Sequence, residues 1–437
     1  MMKVLKNKSD NIILGTLILL SLYQTTKLWF GDFTDYNFFY NVNNAIDTNI
    51  ESGKEYFTEP REIRVGRSNN KFMILDVHKA KFADVYKEYT RMLNNALNEG
   101  EYKGKENIKL SELYKKDFIE ALYATDLNSD ILNEEFNIKE EKNINKISKF
   151  DRIYVSFENE KKTLYFYRDY SRVADVIEYK IEDSKLASEI KELRDIDVIN
   201  AVKVNINGYR IIPFNKKDER VSLTDFMWKN PISSDEGVDS YANTYFENPS
   251  NVWKKEDNKN DVIIYGDDLN TVRYHRESGL VEYSNNEIKG SSKMDFIKSY
   301  YIARTFMEQD EIYPIRDIYL KSYIETEEGY NFKFEYLINN FTYLNKDKIS
   351  IEVLVEGNKV KTLKRYLRKL SVSRLFMAKM KSYIEIANEY AKNYEIADIR
   401  DMYMGYVLDD SDRLDLSWII ENKDGKKYVF NAYERVK

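Results

Sequence analysis

Cysteine is absent from the chain, which excludes disulfides, thiolate metal sites, cysteine nucleophiles and a lipidated cysteine anchor. Histidine is nearly absent: His78 and His275 are the only two in 437 residues, too few for any site that needs three imidazoles. With 5 prolines and 15 glycines, long disordered linkers have no basis in composition. A basic surplus is missing too. Lysine plus arginine is 68 against 74 aspartates and glutamates, a net charge of −6, and that balance argues against a nucleic-acid binder. What is present is apolar bulk: 43% hydrophobic residues, enough for real cores, over a length that suggests about three domains. The 36 tyrosines read as strand residues from a biased coding composition rather than a functional stripe.

Catalytic signatures are also missing. No GxSxG, P-loop or GxGxxG occurs, so hydrolase, nucleotidase and dehydrogenase readings have no support. Neither histidine has an HxxxH or HExxH partner, and the pairs Asp267-Asp268 and Asp409-Asp410 lack the Asp-x-Asp-x-Asp-Gly calcium loop, which leaves them turn or cap duty. A glycosidase is not excluded this way, since its two carboxylates need not be close in sequence. The basic run Lys364-Arg365-Tyr366-Leu367-Arg368-Lys369 reads as an outward-facing strand. No metal, cofactor or catalytic residue is assigned, and the expectation is a non-enzyme.

The amino terminus is the most informative segment. Lys3, Lys6 and Lys8 precede an uncharged stretch from Asn11 to Thr26, and eight Leu or Ile residues lie between positions 12 and 22. From Ile12 to Phe30 there are 19 residues, about 28 Å of helix against a hydrocarbon layer of roughly 30 Å. Lys27 can snorkel to the headgroups while Trp29 and Phe30 suit the interface. A cleaved signal peptide needs small residues at −3 and −1, and Tyr23-Gln24-Thr25-Thr26-Lys27-Leu28-Trp29 has no such pair. The reading is an uncleaved single-pass anchor in the cell membrane. The lysines before it keep the amino terminus cytoplasmic, with everything after about residue 31 extracytoplasmic. Ser21, Gln24 and Thr25 are polar groups in or beside the span, available either for helix–helix hydrogen bonds or for hydration at the outer interface.

Beyond the anchor, periodicity predicts an α+β chain. Spacings of three and four predict helices over 81–98 and 111–124, with 125–150 a surface connection. Strands follow, in which Ile153, Val155 and Phe157, then Leu164 and Phe166, alternate. Val202, Val204 and Ile206 lead through Asn207-Gly208 into Tyr209 and Ile211, a hairpin signal. Residues 241–290 read as three short antiparallel strands. In the last third Ile315-Arg316-Asp317-Ile318-Tyr319-Leu320 recurs 84 residues later as Ile399-Arg400-Asp401-Met402-Tyr403-Met404. Helices are expected before the copies, over 294–309 and 375–394. Afterwards Phe332, Phe334, Tyr336 and Ile338 match Leu414, Leu416, Trp418 and Ile420 at a spacing of 82. Each unit is thus helix, strand, strand, strand, the first with an extra strand. The organisation expected is a tail (1–11), an anchor (12–30), an α+β region (31–215), a β-rich region (216–293) and two α+β repeats (294–376 and 377–437).

Three blocks stand out together. One is Leu17-Ile18-Leu19-Leu20-Ser21-Leu22 with Leu28-Trp29-Phe30. Another is Tyr245-Phe246-Glu247-Asn248-Pro249-Ser250-Asn251-Val252 with Tyr265-Gly266-Asp267-Asp268 and Gly279-Leu280-Val281-Glu282-Tyr283. The third is Asp317-Ile318-Tyr319-Leu320 with its repeat at 401–404. In these blocks the chain resembles the YycH family, extracytoplasmic regulators of the YycG/WalK-type sensor histidine kinase in low-GC Gram-positive bacteria. The resemblance implies a non-enzymatic partner of the kinase and of a YycI-like single-span protein, adjusting two-component signalling and cell-wall gene expression. A ligand-binding or inhibitor module, or a cell-envelope glycan hydrolase, are the other classes open to this sequence.

Overall fold

The computed structural model describes residues 60–76, 79–136, 146–157, 161–168, 171–180, 185–205, 209–213, 220–286, 292–308, 318–338, 341–345, 350–409 and 411–436. All of them fall within one compact unit, Tyr56–Lys437. The anchor segment 12–30 and His78 lie outside the described residues, and among those described no helix is long and apolar enough to cross a membrane.

The first half is built from β1 (Glu62–Arg67), β2 (Lys71–Leu75), α1 (Ala80–Glu99), β3 (Glu101–Asn107), α2 (Leu110–Leu113), β4 (Phe118–Leu127), α3 (Ser129–Phe136), β5 (Phe150–Ser156), β6 (Lys161–Tyr167), β7 (Val173–Lys180), α4 (Lys185–Lys191), β8 (Val198–Asn205) and β9 (Tyr209–Pro213). The strands form one sheet in the order β3-β7-β6-β5-β4-β1-β2-β8-β9. The helix expected over 81–98 is α1, and its apolar stripe of Val85, Tyr89, Met92, Leu93, Ala96 and Leu97 is buried. The hairpin expected at Asn207-Gly208 is present as β8 and β9, with Asn205 opposite Tyr209 and the turn residues themselves outside the described set.

Two expectations fail here. Residues 111–124 are not a helix: α2 stops at Leu113, and Phe118–Leu127 is a strand between β1 and β5. The cause is burial on both faces. From Phe118 to Tyr123 every residue is buried, and a strand covered on both sides loses the period-two signal. Nor is 125–150 a surface connection, because α3 buries Ile131 and Leu132, and Ile147 and Phe150 are buried after it.

The second half comprises β10 (Arg220–Lys229), α5 (Asp235–Asn243), β11 (Trp253–Asp257), β12 (Val262–Gly266), β13 (Asn270–His275), β14 (Leu280–Asn285), α6 (Phe296–Glu308), β15 (Ile318–Glu325), β16 (Gly329–Ile338), β17 (Phe341–Leu344), β18 (Ile351–Glu356), β19 (Lys359–Tyr366), β20 (Lys369–Met380), α7 (Tyr383–Tyr390), β21 (Ile399–Leu408), β22 (Arg413–Asn422), β23 (Lys427–Asn431) and β24 (Tyr433–Arg435). Its sheet runs β11-β12-β13-β14-β19-β18-β16-β17-β21-β22-β10-β20-β24, with β15 added on β16 and β23 on β22. The α+β class is as expected. Residues 241–290 hold four strands rather than three, since the exposed β11 pairs with β12.

α6 lies across β16, β18 and β19, and its Phe296 and Tyr300 rings stand edge-on to Phe332 at 5.5 and 5.6 Å. The helix expected over 375–394 is shorter. Residues to Met380 belong to β20, and α7 begins only after Ser382, whose capping box with Glu385 satisfies the first free amides. The register also corrects an offset. Ile318 faces Tyr336 and Met402 faces Ile420, so both strands are displaced by 84 and the spacing of 82 slips by two residues, within one face.

Trp418 is fully buried and its indole N–H donates to the Lys381 carbonyl at 3.1 Å. Trp418→Ala is expected to destabilise the protein by about 3–5 kcal/mol in urea unfolding, and an unchanged midpoint would show that this face is not core. A Cβ on Gly405 would sit 2.8 Å from the Thr342 carbonyl oxygen and 2.5 Å from the Ile419 side chain. Gly405→Ala is expected to cost about 1–3 kcal/mol in the same assay.

Candidate functional site

A cleft of about 560 Å³ lies where the turn after α5, the turn into β13, β14, the carboxyl half of α6 and β19 meet. Its position follows from the local sequence. Ser234 caps α5 by accepting from the Gly237 amide at 3.2 Å, and the helix ends at Asn243, which delivers Tyr245, Phe246 and Glu247 to the rim. Tyr245 stacks on Tyr283 of β14 at 5.6 Å between ring centroids, and Phe306 of α6 packs against Tyr283 at 5.0 Å. The Tyr241 and Tyr245 hydroxyls share a hydrogen bond of 2.8 Å, and the Tyr283 hydroxyl donates to Asn270 Oδ1 at 2.9 Å. Asn358 and Lys359 form the facing rim, and Arg365 lines the cleft while only 3% exposed.

Acidic residues singled out in the sequence do structural duty in turns. Asp267, half of an acidic pair noted in the sequence, does turn duty: its Oδ1 accepts from the Leu269 amide at 2.8 Å and from the Asn270 amide. Burial pushes its pKa up, but these donors outweigh that and hold it below the usual carboxylate range. Asp409 likewise accepts from the Ser411 and Arg413 amides. His275 makes a 3.2 Å contact from Nε2 to Glu282. Among the described residues no group of three or more His, Asp or Glu is placed to hold a metal ion.

The sequence reading placed no charge in the core, yet several are buried there, among them Arg365, Glu120 and Glu335. Arg365 was expected on an outward strand face; it points inward with Leu363, because β19 pairs on both sides and its alternation carries Arg365 to the helix-covered face. Glu120 of β4 is fully buried beneath α2. It accepts from the Tyr114 hydroxyl at 3.2 Å and from Tyr167, and Arg64, its cross-strand partner, lies 3.7 Å away. Burial acts to lower the Arg64 pKa, but Glu62 and Glu120 more than reverse this and raise it. Glu335 of β16 is also fully buried, opposite Tyr319 on β15. One carboxylate oxygen accepts from the Ser350 amide at 2.7 Å, and the other has no hydrogen-bond partner. The only audible signal was a charge inside an otherwise apolar strand, and outward alternation explains that equally well.

Of the residues assigned from sequence, the transmembrane contacts Ser21, Gln24 and Thr25 and the interface anchors Lys27, Trp29 and Phe30 all lie outside the described residues. The structure does bring together the second block of the resemblance: Tyr245, Phe246 and Glu247 meet Asp267 and Tyr283 in the cleft.

No protein-family model and no curated protein sequence matches the chain. Among solved structures, the crystal structure of YycH from Bacillus subtilis superposes with a TM-score of 0.55 at 13% identity, over 87% of this chain and 97% of that one. The Bacillus megaterium YpeB C-terminal domain aligns at a TM-score of 0.28 and 9% identity over 47% of this chain and 98% of that domain, too slight a likeness to carry weight. The fold is YycH-like.

Burial raises the Glu335 pKa above its usual 4.5, against the opposing pull of Lys321, the Ser350 amide and Lys427. A carboxyl raised on folding contributes stability that is full below its unfolded pKa and lost as pH climbs through the folded one. Glu335→Gln is therefore expected to leave the melting midpoint unchanged near pH 4 and raise it near pH 8. Parallel wild-type and variant midpoints across that range would show that the carboxyl is not destabilised by burial.

Proposed function

We propose that this protein is a membrane-anchored, non-enzymatic extracytoplasmic regulator that binds a sensor histidine kinase of the YycG/WalK type together with a YycI-like single-span partner. The observation that carries the reading is the YycH-like fold, which spans nearly the whole of the Bacillus subtilis YycH chain. The segment 12–30, uncharged as far as Thr26, supports it, with lysines before the span and Trp29 and Phe30 at its exit. The repeated unit of the last third is read as a duplication. Both copies run helix, strand, strand, strand, and their first hairpins share one register offset.

The mechanism is linkage. A bound accessory protein shifts a kinase between two arrangements only by binding one of them more tightly. The anchor supplies part of that difference if Ser21, Gln24 and Thr25 hydrogen-bond to a kinase helix, and the outer sheets supply the rest. The cleft favours a second reading, an extracytoplasmic ligand-binding module, for which its stacked tyrosines and polar rim are the supporting geometry.

Replacing Gln24 and Thr25 together with leucine is expected to weaken association with the kinase by about 1 kcal/mol or more, roughly fivefold. The outer-domain melting midpoint should not move. The assay is co-purification from membranes with a reporter of the kinase's output. Unchanged co-purification and output would remove those residues as contacts, and recovery of a soluble chain beginning near residue 24–32 would reject the anchor.

A further inference from the structure

The second sheet ends at β20 and the short β24, which leaves the outer edge of β20 only partly covered. β20 pairs with β10 from Lys369 to Lys379, whereas on its other side β24 reaches only Ala378, Lys379 and Met380. The Val436 amide extends this contact by donating to the Met377 carbonyl at 3.0 Å. Among the described residues no strand lies against 369–376 on the side away from β10. Hydrogen-bonding direction alternates along an antiparallel strand. Because the Met377 carbonyl points away from β10, the N–H and C=O of Leu375 point the same way, into the open. The side chains beside them are apolar and uncovered, Leu375 at 58% and Met377 at 47% exposure. Free amides and carbonyls flanked by apolar side chains are a template for strand addition.

The chemistry around the edge selects what can be added. Lys369 lies opposite Lys229, and Arg374 and Arg435 converge on Asp225 at 2.7 and 2.9 Å. Arg374 and Arg435 thus share one carboxylate, while Lys369 and Lys229 meet at the far end of the strand pair. Lys379 pairs in register with Glu434 and adds nothing to the surplus. The Arg435 guanidinium sits 4.4 Å from the Phe376 ring centre, which holds it beside the strand. Ser373 is an extra residue between the Asp225–Arg374 and Phe226–Val372 pairs, a bulge that bends the edge. Charges and bulges guard an edge against indiscriminate pairing, and here the unbalanced guards share one sign. A second copy of this edge would set cation against cation, whereas a strand alternating acidic with apolar residues would meet Arg374 on one face and Leu375 and Met377 on the other.

We propose that the open edge of β20 is a docking site for an extended acidic–apolar segment of a partner protein, which joins the sheet as an additional strand. This surface goes beyond the regulatory reading and stands without it, because its test uses no kinase.

The probe is a fluorescent peptide of about eight residues, a usual strand length, alternating glutamate with valine. Its control alternates lysine with valine. With the full chain in detergent micelles, fluorescence anisotropy is expected to show binding of the acidic peptide and not of the basic one. Leu375→Pro removes only an amide that faces away from β10, and should weaken acidic-peptide binding by at least about tenfold at an unchanged melting midpoint. Should that variant unfold, Arg374→Glu, whose side chain is 57% exposed, should lower the affinity for the acidic peptide and raise that for the basic one. The proposal is overturned if the acidic peptide fails to bind, if both peptides bind alike, or if a folded Leu375→Pro variant binds as well as wild type. It is also overturned if the wild-type chain dimerises and Leu375→Pro abolishes the dimer, because the occupant is then a second copy.

Discussion

Three residue pairs make one sheet out of two. Thr342, Tyr343 and Leu344 of β17 run parallel to Gly405, Tyr406 and Val407 of β21, the one parallel pairing among the described residues. Everything from β11 to β16 lies on one side of this joint, and β21, β22, β10 and β20 lie on the other. Gly405 is what permits the approach, because the Thr342 carbonyl occupies the space a side chain would need. Aromatic rings then lock the joint from β10. Trp228 packs against Tyr336 and Tyr343 at 5.5 and 5.6 Å, and Phe226 meets Tyr406 edge-on at 5.6 Å. β10 comes early in this half of the chain and pairs with β20 and β22, late in it. The sheet closes only after that long connection has been drawn in, which places it among the slower kinds of topology to form.

The same joint separates the two surfaces available to partners. The cleft lies on the β13–β14–β19 side and the open edge at β20 on the other, with the β17–β21 pairing and its ring cluster between them. A ligand in the cleft can influence the edge only by preferring one of two arrangements of what lies between. Rings packed at van der Waals distance, with a glycine in contact, respond to displacement by repacking rather than by smooth strain. If the two surfaces are coupled, the coupling belongs at Trp228, Tyr343 and Gly405.

Much of the fold was legible because most strands have one dry face and one wet one. β18 shows it plainly, with Ile351, Val353 and Val355 buried and the residues between them not. The reading broke where that asymmetry breaks. β4 is covered on both faces, so its apolar run has no period of two and Leu113, Phe118 and Leu122 mimic helical spacing. β20 fails in the opposite way: as a bulged edge strand it exposes Leu375 and Met377, and nothing in its pattern marks a boundary before Ser382. The cleft was illegible for a further reason. Its walls come from segments more than a hundred residues apart: Tyr245, Phe246, Glu247 and Tyr283 drew notice through a resemblance, and Asp267 and Arg365 as members of an acidic pair and a basic run, none as parts of one cleft.

The two buried glutamates show how such sheets treat charge. Glu120 is satisfied: two tyrosine hydroxyls and Arg64 compensate the loss of water, and the group rests under aromatic cover from Tyr114, Phe118 and Tyr154. A pair of that kind adds little net stability over an apolar substitute, yet losing one partner strands the other, so it fixes which strands lie side by side. Glu335 is the contrasting case, with one oxygen held by Ser350 and the other unpaired, and its nearest cation, Lys321, is 4.0 Å away. A residue left so incompletely compensated does not act as a register pin. It lies beside Tyr319, which faces it across the strand pair, and Lys427, whose pKa burial lowers. Burial therefore works against both the carboxylate and the nearby ammonium, which makes this part of the sheet sensitive to pH.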